Sequence, residues 1–114
     1  ASHLRDLDPL AVFLRHADLG LNLYEAIDAP SWHIDHFPGS FWPRAVTLNR
    51  VTAESRFPEA TLQALREAGH EVKVGPPWSE GRISVCTREP AGSAGLLLRA
   101  AANPRGMQSY ALGR

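Results

Sequence analysis

The order in which helical and alternating apolar patterns follow one another is what most constrains the fold of this 114-residue chain. Two helical patterns come first, then an alternating segment and a third helical pattern, and the remaining segments alternate again. This order predicts an α+β fold with helices packed on one face of a mostly antiparallel sheet. About three or four short strands under a single helical layer would leave edges and a face uncovered, as in part of a larger sandwich.

The first helical pattern starts at Asp8-Pro9. Asp8 is expected to be its N-cap and Pro9 its first helical residue, where a missing N–H costs nothing. Gly20 is expected to end the helix. The apolar stripe consists of Leu7, Leu10, Ala11, Leu14 and Ala17.

A second, short helix is predicted over Leu23–Ala29. Asn22 and Glu25 have the spacing of a capping box, and Pro30 prevents the helix from continuing. Residues 31–43 have no helical or strand period, which predicts an ordered loop held together by aromatic packing. A stacking platform for a base or sugar is the alternative use of its aromatic residues, which are Trp32, Phe37, Phe41 and Trp42.

The rest of the chain predicts four strands and one helix. A first strand is expected around Val46, Leu48 and Val51, and a third helix after Phe57-Pro58 that ends before Gly69. The later strands are expected at Val72–Val74, at Ile83–Cys86 and from Leu96 to Ala102, with Glu89–Gly95 as the hairpin connection between the last two.

Composition excludes several classes of function. Lysine plus arginine equal aspartate plus glutamate at 12 each, so no net charge attracts the chain to nucleic acid. No apolar run reaches the roughly 18 residues of a membrane span. The single cysteine, Cys86, has no disulfide partner within the chain.

The segment His33-Ile34-Asp35-His36 is the nearest approach to a metal-binding motif, since imidazole and carboxylate both suit zinc or manganese. In an extended segment His33 and Asp35 share one side while His36 faces the other, and no second cluster supplies further ligands. Histidines that bond to loop carbonyls are the competing interpretation. We predict no metal and no other cofactor.

No nucleophile or acid/base pair can be assigned from spacing. Ser40, Ser79 and Cys86 lack the surrounding signature of a nucleophile, and Cys86 fits a small, half-buried strand residue. The carboxylates that could pair for acid/base chemistry are Asp28, Asp35 and Glu80, and nothing in the sequence indicates that any two of them meet.

Four motifs occur in order along the chain. They are Phe13-Leu14-Arg15-His16 followed by Gly20-Leu21-Asn22-Leu23, then Glu25-Ala26-Ile27-Asp28-Ala29-Pro30, then Leu62 to Val72, then Ala102-Asn103-Pro104-Arg105. Together they resemble the C-terminal part of the small subunit of gamma-glutamyltransferases, also called gamma-glutamyltranspeptidases. The resemblance covers nearly the whole chain.

The resemblance implies an N-terminal-nucleophile hydrolase with an αββα sandwich. In this family a precursor cleaves itself, and the freed threonine attacks a gamma-glutamyl amide with its own α-amine as base. Paired glycines stabilise the oxyanion, and water or an amine takes the glutamyl group. None of the threonines at positions 47, 52, 61 and 87 matches that nucleophile. The isolated chain is therefore expected to be inactive.

Three residues near the motifs bear on the site. The resemblance implies that Arg105 supports the catalytic site structurally, through an ion pair or hydrogen bonds; an exposed arginine in a tail turn is the alternative. Ser31 stands where many members have arginine, and Asn103 where they usually have aspartate. Both departures change a charge and suggest a divergent branch whose substrate need not be glutathione.

We therefore treat residues 1–114 as a single partial domain. Its expected partners are the large subunit and the N-terminal part of the small subunit, with a gamma-glutamyl small molecule as substrate of the parent. A non-catalytic interaction module that docks a partner strand or a second copy is the alternative, and self-association of the isolated chain is expected. The compartment stays open, although the family is often periplasmic or extracellular.

Overall fold

A computed structural model of the chain describes residues 4–107 and 109–112, with side chains from residue 8 onward. It confirms the α+β class. The helices are α1 (Leu4–Ala17), α2 (Leu23–Asp28) and α3 (Glu59–Glu67), and single 3-10 turns occur at Gly92–Ala94 and Arg105–Met107. The strands are β1 (Trp32–Ile34), β2 (Arg50–Glu54), β3 (Glu71–Gly75), β4 (Val85–Pro90) and β5 (Leu96–Ala101).

The described strands form two sheets. In the first, of order β1-β2-β3, β1 pairs antiparallel to β2 with Trp32 opposite Ala53. β3 pairs parallel to β2, with Val51 opposite Val72, because α3 carries the chain across the sheet between them. The second sheet is the antiparallel hairpin β4-β5. Antiparallel pairing therefore predominates, as expected, but over two sheets.

The start of α1 differs from the prediction. The helix already includes Leu4, so Pro9 lies inside it and Asp8 is not its N-cap. The Asp8 carboxylate instead accepts a hydrogen bond from the Ser31 hydroxyl at 3.0 Å. After α1 the chain reverses at Gly20, whose φ of 71° lies in the left-handed region where a glycine is favoured.

The second helix follows the sequence closely. The Asn22 side chain accepts the Glu25 N–H at 2.9 Å, and the Glu25 carboxylate accepts the Asn22 N–H at 3.0 Å. This is the predicted capping box, and α2 ends one residue before the predicted boundary. Helix α3 and strand β3 also lie where the sequence places them.

Three strand predictions need correction. Residues 31–43 include strand β1, and two of the four aromatic residues expected to pack the loop, Phe41 and Trp42, are instead 80% and 90% exposed. Val46 and Leu48 are exposed and precede β2, which begins at Arg50 where pairing with β1 and β3 becomes possible. Strand β4 continues through Pro90, so the hairpin turn is shorter than predicted.

The main core lies between α1, α2 and β5. Its buried members are Val12, Leu23, Ala26, Ile27 and Ala101. Many apolar side chains outside this core are exposed, especially on α1 and near the hairpin tip; they include Leu10, Phe13, Leu14, Leu96 and Leu98. Among the described residues, no helix has the length and apolar character that crossing a membrane requires.

We expect Asn22→Ala to lower the free energy of unfolding by about 1 kcal/mol, because the Glu25 N–H loses its acceptor at the start of α2. Asp18→Ala is the control, because Asp18 is exposed and lies between α1 and α2. Urea unfolding followed by circular dichroism measures both. Equal stability of the two variants would contradict the structural role of the capping box.

Candidate functional site

Five consecutive backbone carbonyls, at the end of α2 and just after it, accept hydrogen bonds from three arginine side chains. In chain order these are Ala26 to Arg15 (3.3 Å), Ile27 to Arg105 (2.8 Å), Asp28 to Arg56 (2.6 Å), Ala29 to Arg105 (3.0 Å) and Pro30 to Arg15 (2.6 Å). The last carbonyls of a helix have no partner within it, and Pro30 prevents the helix from continuing. The arginines satisfy these groups and place positive charge at the negative end of the helix.

Arg105 is the most buried of the three arginines, at 4% exposure. It follows β5, in a turn where the side-chain oxygen of Asn103 accepts the Arg105 N–H at 2.6 Å. Pro104 fixes the backbone between them. The turn thus directs the guanidinium inward, and Arg105 is a buried ion-pairing residue rather than an exposed arginine in a tail.

Glu54, the last residue of β2, is the counter-ion at the centre of the cluster and is fully buried. Its two carboxylate oxygens accept from Arg105 Nε at 2.7 Å and Nη2 at 3.1 Å. This two-pronged geometry is the strongest that an arginine and a carboxylate can form. The same carboxylate also accepts the Glu80 N–H at 3.1 Å.

Arg56 links the buried pair to the surface. Its Nη1 lies 3.5 Å from Glu54 Oε2, and its Nη2 donates to the Asp28 carboxylate at 3.0 Å. The guanidinium also lies 4.3 Å from the ring centre of Trp78, whose indole N–H donates to Asp28 at 2.9 Å. A cation over an aromatic face is attracted by the ring quadrupole. Trp78 therefore covers this side of the cluster.

Arg15 completes the group of cations. Burial lowers the pKa of Arg15, and the positive charge of Arg105 lowers it further, while Asp8 and Glu54 act in the opposite direction. The direction therefore reflects mainly the burial of Arg15 and, after it, the nearby charge of Arg105. Glu54 and Asp28 supply the negative charge that this arrangement requires.

The segment from Gly75 to Gly81, which we call the strap, closes over the cluster. A side chain at Gly81, where φ is 75°, would lie 2.9 Å from the Asp8 carboxylate and 3.0 Å from the Ser31 hydroxyl. A side chain at Gly75 would lie 2.8 Å from the Ser79 hydroxyl. The positive φ and the close contacts at Gly81 favour glycine there, and the strap places the Glu80 N–H against the buried carboxylate.

The side chains of the segment His33-Ile34-Asp35-His36 are brought together only in part. His33 on β1 contacts Glu80 through Nδ1 at 2.5 Å and Asp35 through Nε2 at 3.3 Å, so two of the three candidate carboxylates meet on one imidazole. His36 faces away and contacts the edge of Phe37. Within the described residues, no group of three or more possible ligands is arranged to hold a metal ion.

The remaining candidates stay apart. Asp28 is held by Arg56 and does not join the other two carboxylates. Cys86 is exposed on β4, and the Ser79 hydroxyl donates to the neighbouring Glu80 carboxylate. The described part of the chain therefore shows a buried ion-pair cluster rather than a nucleophile with its base.

Both sequence departures lie in this cluster. Ser31 is 8% exposed, and its hydroxyl donates to the Asp8 carboxylate at 3.0 Å. Asn103 is 3% exposed; its oxygen caps the turn, and its Nδ2 has no partner among the described residues. A side-chain oxygen of aspartate can accept the same N–H in such a turn.

Sequence reasoning found Arg105 but missed its partners. Nothing in the sequence indicated that Glu54 is buried, because a glutamate that ends a short strand is ordinarily exposed. The sequence did not indicate the roles of Arg15 and Arg56 either, since the burial of an arginine depends on contacts made with distant segments.

Replacing Arg105 by methionine is expected to lower the free energy of unfolding by about 3 to 5 kcal/mol, because Glu54 would keep a buried, unpaired charge. Arg99→Met is the matched control, since Arg99 is 50% exposed and lies 3.6 Å from Glu89. Urea unfolding of both variants measures the difference. A loss no larger than that of the control would show that the buried pair contributes little.

Gly81→Ala is expected to destabilise the chain by about 2 kcal/mol, since the new methyl group would displace Asp8 from Ser31. Gly92→Ala has a similar positive φ but open space around the new methyl group, and should cost about 1 kcal/mol from backbone strain alone. Thermal unfolding of the pair separates steric from backbone effects. The strap would not be tightly packed if both variants lost the same stability.

Comparison with known proteins shows the family of this chain. The gamma-glutamyltranspeptidase family model matches residues 9–113. The oxamate amidohydrolase proenzyme of Klebsiella pneumoniae is 34% identical over 97 residues, which are 83% of this chain and 16% of that protein. The chain thus spans about a sixth of the length of this curated relative.

Solved structures give the same result. The structure of LmbA2991HD is 52% identical, with a TM-score of 0.85 over 96% of this chain and 19% of that one. Cephalosporin acylase from Bacillus halodurans is 26% identical, with a TM-score of 0.68 over 92% of this chain and 17% of that one. The acivicin-inhibited gamma-glutamyltranspeptidase, whose C-terminus has critical roles in its autoprocessing and catalysis, shares the fold at 20% identity, with a TM-score of 0.65 over 87% of this chain and 46% of that one. The chain belongs to the gamma-glutamyltranspeptidase family and has an α+β fold shared with structures of N-terminal-nucleophile hydrolases.

Proposed function

We propose that this chain is the C-terminal structural segment of an enzyme that cleaves gamma-glutamyl amides and transfers the acyl group to water or an amine. The family match supports the reaction class. The short share of its relatives that the chain spans supports the role of a segment. The single observation that carries the structural role is the buried pair of Glu54 and Arg105, which fixes the end of α2, β2 and the turn after β5 to one another.

The chemistry in this proposal is supplied from outside the chain. A threonine with a free α-amine would attack the amide carbonyl, the amine would take the hydroxyl proton, and the acyl-enzyme would then react with water or an amine. Within the chain, Thr52 is buried on β2 next to the cluster and none of the four threonines has the position of that nucleophile. The contribution of this segment is rigidity in a wall of the site.

Arg105 is a positioning residue in this account. Four hydrogen bonds join its guanidinium to Glu54 and to the Ile27 and Ala29 carbonyls, and the group is buried inside the chain. It therefore acts on substrate only through the segments that it holds. A role of the C-terminus in autoprocessing and catalysis is described for the acivicin-inhibited enzyme; for this chain it is part of the proposal.

The acyl group is the least constrained part of the proposal. One relative at 34% identity is an oxamate amidohydrolase, so a small amide without a glutamyl group is a substrate to test beside a gamma-glutamyl anilide. Both substrates contain an amide carbonyl that a threonine hydroxyl can attack. The replacement of charged family residues by Ser31 and Asn103 supports testing both.

The second candidate is an interaction module derived from the same family. Leu96 and Leu98 are 52% and 73% exposed on β5, and Phe13 is 64% exposed on α1. Exposed apolar groups of this kind mark surfaces that pack against another polypeptide. In the enzyme hypothesis the rest of the parent covers them, whereas in the module hypothesis a separate partner or a second copy does.

The test is to express the complete parent polypeptide beside the 114-residue chain and to measure self-cleavage on a denaturing gel and turnover of both amides. We expect the parent to cleave itself and to turn over at least one amide, and the isolated chain to do neither. A parent that stays intact and inactive would favour the interaction module. Turnover by the isolated chain would contradict the assignment of roles.

A further inference from the structure

A cavity of about 460 Å³ lies between α3 and the face of the first sheet that points away from the arginine cluster. Its floor is formed by the strands β1 and β2, through Ile34, Val51 and Ala53. Leu62 and Leu65 of α3 form the opposite wall. This volume lies within the range of small-molecule pockets, which is about 300 to 1,000 Å³.

The lining is mostly apolar. Val51, Ala53 and Leu62 are 7%, 1% and 2% exposed, so the floor and the inner wall are rigid core positions. None of the residues that line the cavity is aspartate, glutamate, lysine or arginine. A charged ligand would lose its hydration there without a partner. The cavity therefore fits a neutral, apolar group.

One polar atom in this lining lacks a partner. His70 lines the cavity, and its Nδ1 is buried with no hydrogen-bond partner among the described residues. A buried polar atom of this kind carries an uncompensated desolvation cost. Neutral imidazole can accept a hydrogen bond at one nitrogen, so a ligand N–H or O–H group would satisfy it.

The dimensions favour a small molecule over a docked helix. Strand β1 has three residues, Trp32–Ile34, which extend over roughly 10 Å. That length seats less than two turns of a helix. It is sufficient for a flat two-ring compound lying between Ile34 and Leu62.

We propose that this cavity is a binding site for a neutral, apolar ring compound that carries one hydrogen-bond donor, which it directs to His70 Nδ1. The site lies on the opposite face of the sheet from Glu54 and does not depend on the proposed catalytic role. Its test measures binding rather than turnover, so either proposal can fail without the other.

Indole is the probe. Indene is the control compound, because it has nearly the same shape but no N–H group. Binding is followed by NMR, through nuclear Overhauser contacts with the methyl groups of Ile34 and Leu62 and through titration of their shifts. We expect both compounds to contact these methyl groups and indole to bind about fivefold more tightly. Equal affinity, or contacts elsewhere, would overturn the proposal.

Two pairs of variants test whether binding occurs in this cavity and whether His70 causes the preference for indole. His70→Phe should remove the preference for indole, whereas His36→Phe, in an exposed loop, should keep it. Thr61→Trp should block both compounds, because Thr61 lines the cavity on α3, whereas Ala64→Trp on the same helix should not. A preference that survives His70→Phe would overturn the role of Nδ1.

The same titration in the parent polypeptide distinguishes a ligand from a protein segment. Indole contacts that persist there would support a ligand site. Their loss in a parent that is folded and soluble would show that another part of the polypeptide occupies the cavity, and would overturn the proposal.

Discussion

The buried pair of Glu54 and Arg105 is the interaction on which the rest of the structure depends. Placing two charges in a protein interior costs several kcal/mol for each, and only close geometry with further hydrogen bonds offsets that cost. Here Arg105 also donates to the Ile27 and Ala29 carbonyls, and Glu54 accepts an additional N–H from Glu80. The pair joins residues 51 positions apart in sequence, and so it fixes the turn after β5 to β2, the central strand of the first sheet.

The cluster also explains why so short a helix as α2 is stable. A six-residue helix is marginal by itself, and its termini expose unpaired backbone groups. The capping box satisfies the N-terminal end, and the three arginines satisfy the C-terminal end. One end is therefore stabilised by neighbours in sequence and the other by residues from three distant segments.

This difference between local and long-range contacts determines which elements could be predicted from the sequence. Asn22 and Glu25 identified α2 because a capping box is a local signal. The predicted start of α1 was wrong. Asp8 does not cap the helix, because its carboxylate bonds instead to Ser31, 23 positions away. Strand β1 was missed because three residues carry no period, and their strand exists only through pairing with β2. Arg105 was found through the family resemblance, whereas Glu54, Arg56 and Trp78 become visible only when the fold brings them together.

The most direct test of the central claim is a double-mutant cycle across Glu54 and Arg105, with Glu54→Gln, Arg105→Gln and the double variant unfolded in urea. We expect the double variant to lose less stability than the sum of the two single losses, with a coupling free energy of about 2 kcal/mol or more. Additive losses would contradict the claim, since they would mean that the carboxylate and the guanidinium stabilise the fold independently of each other.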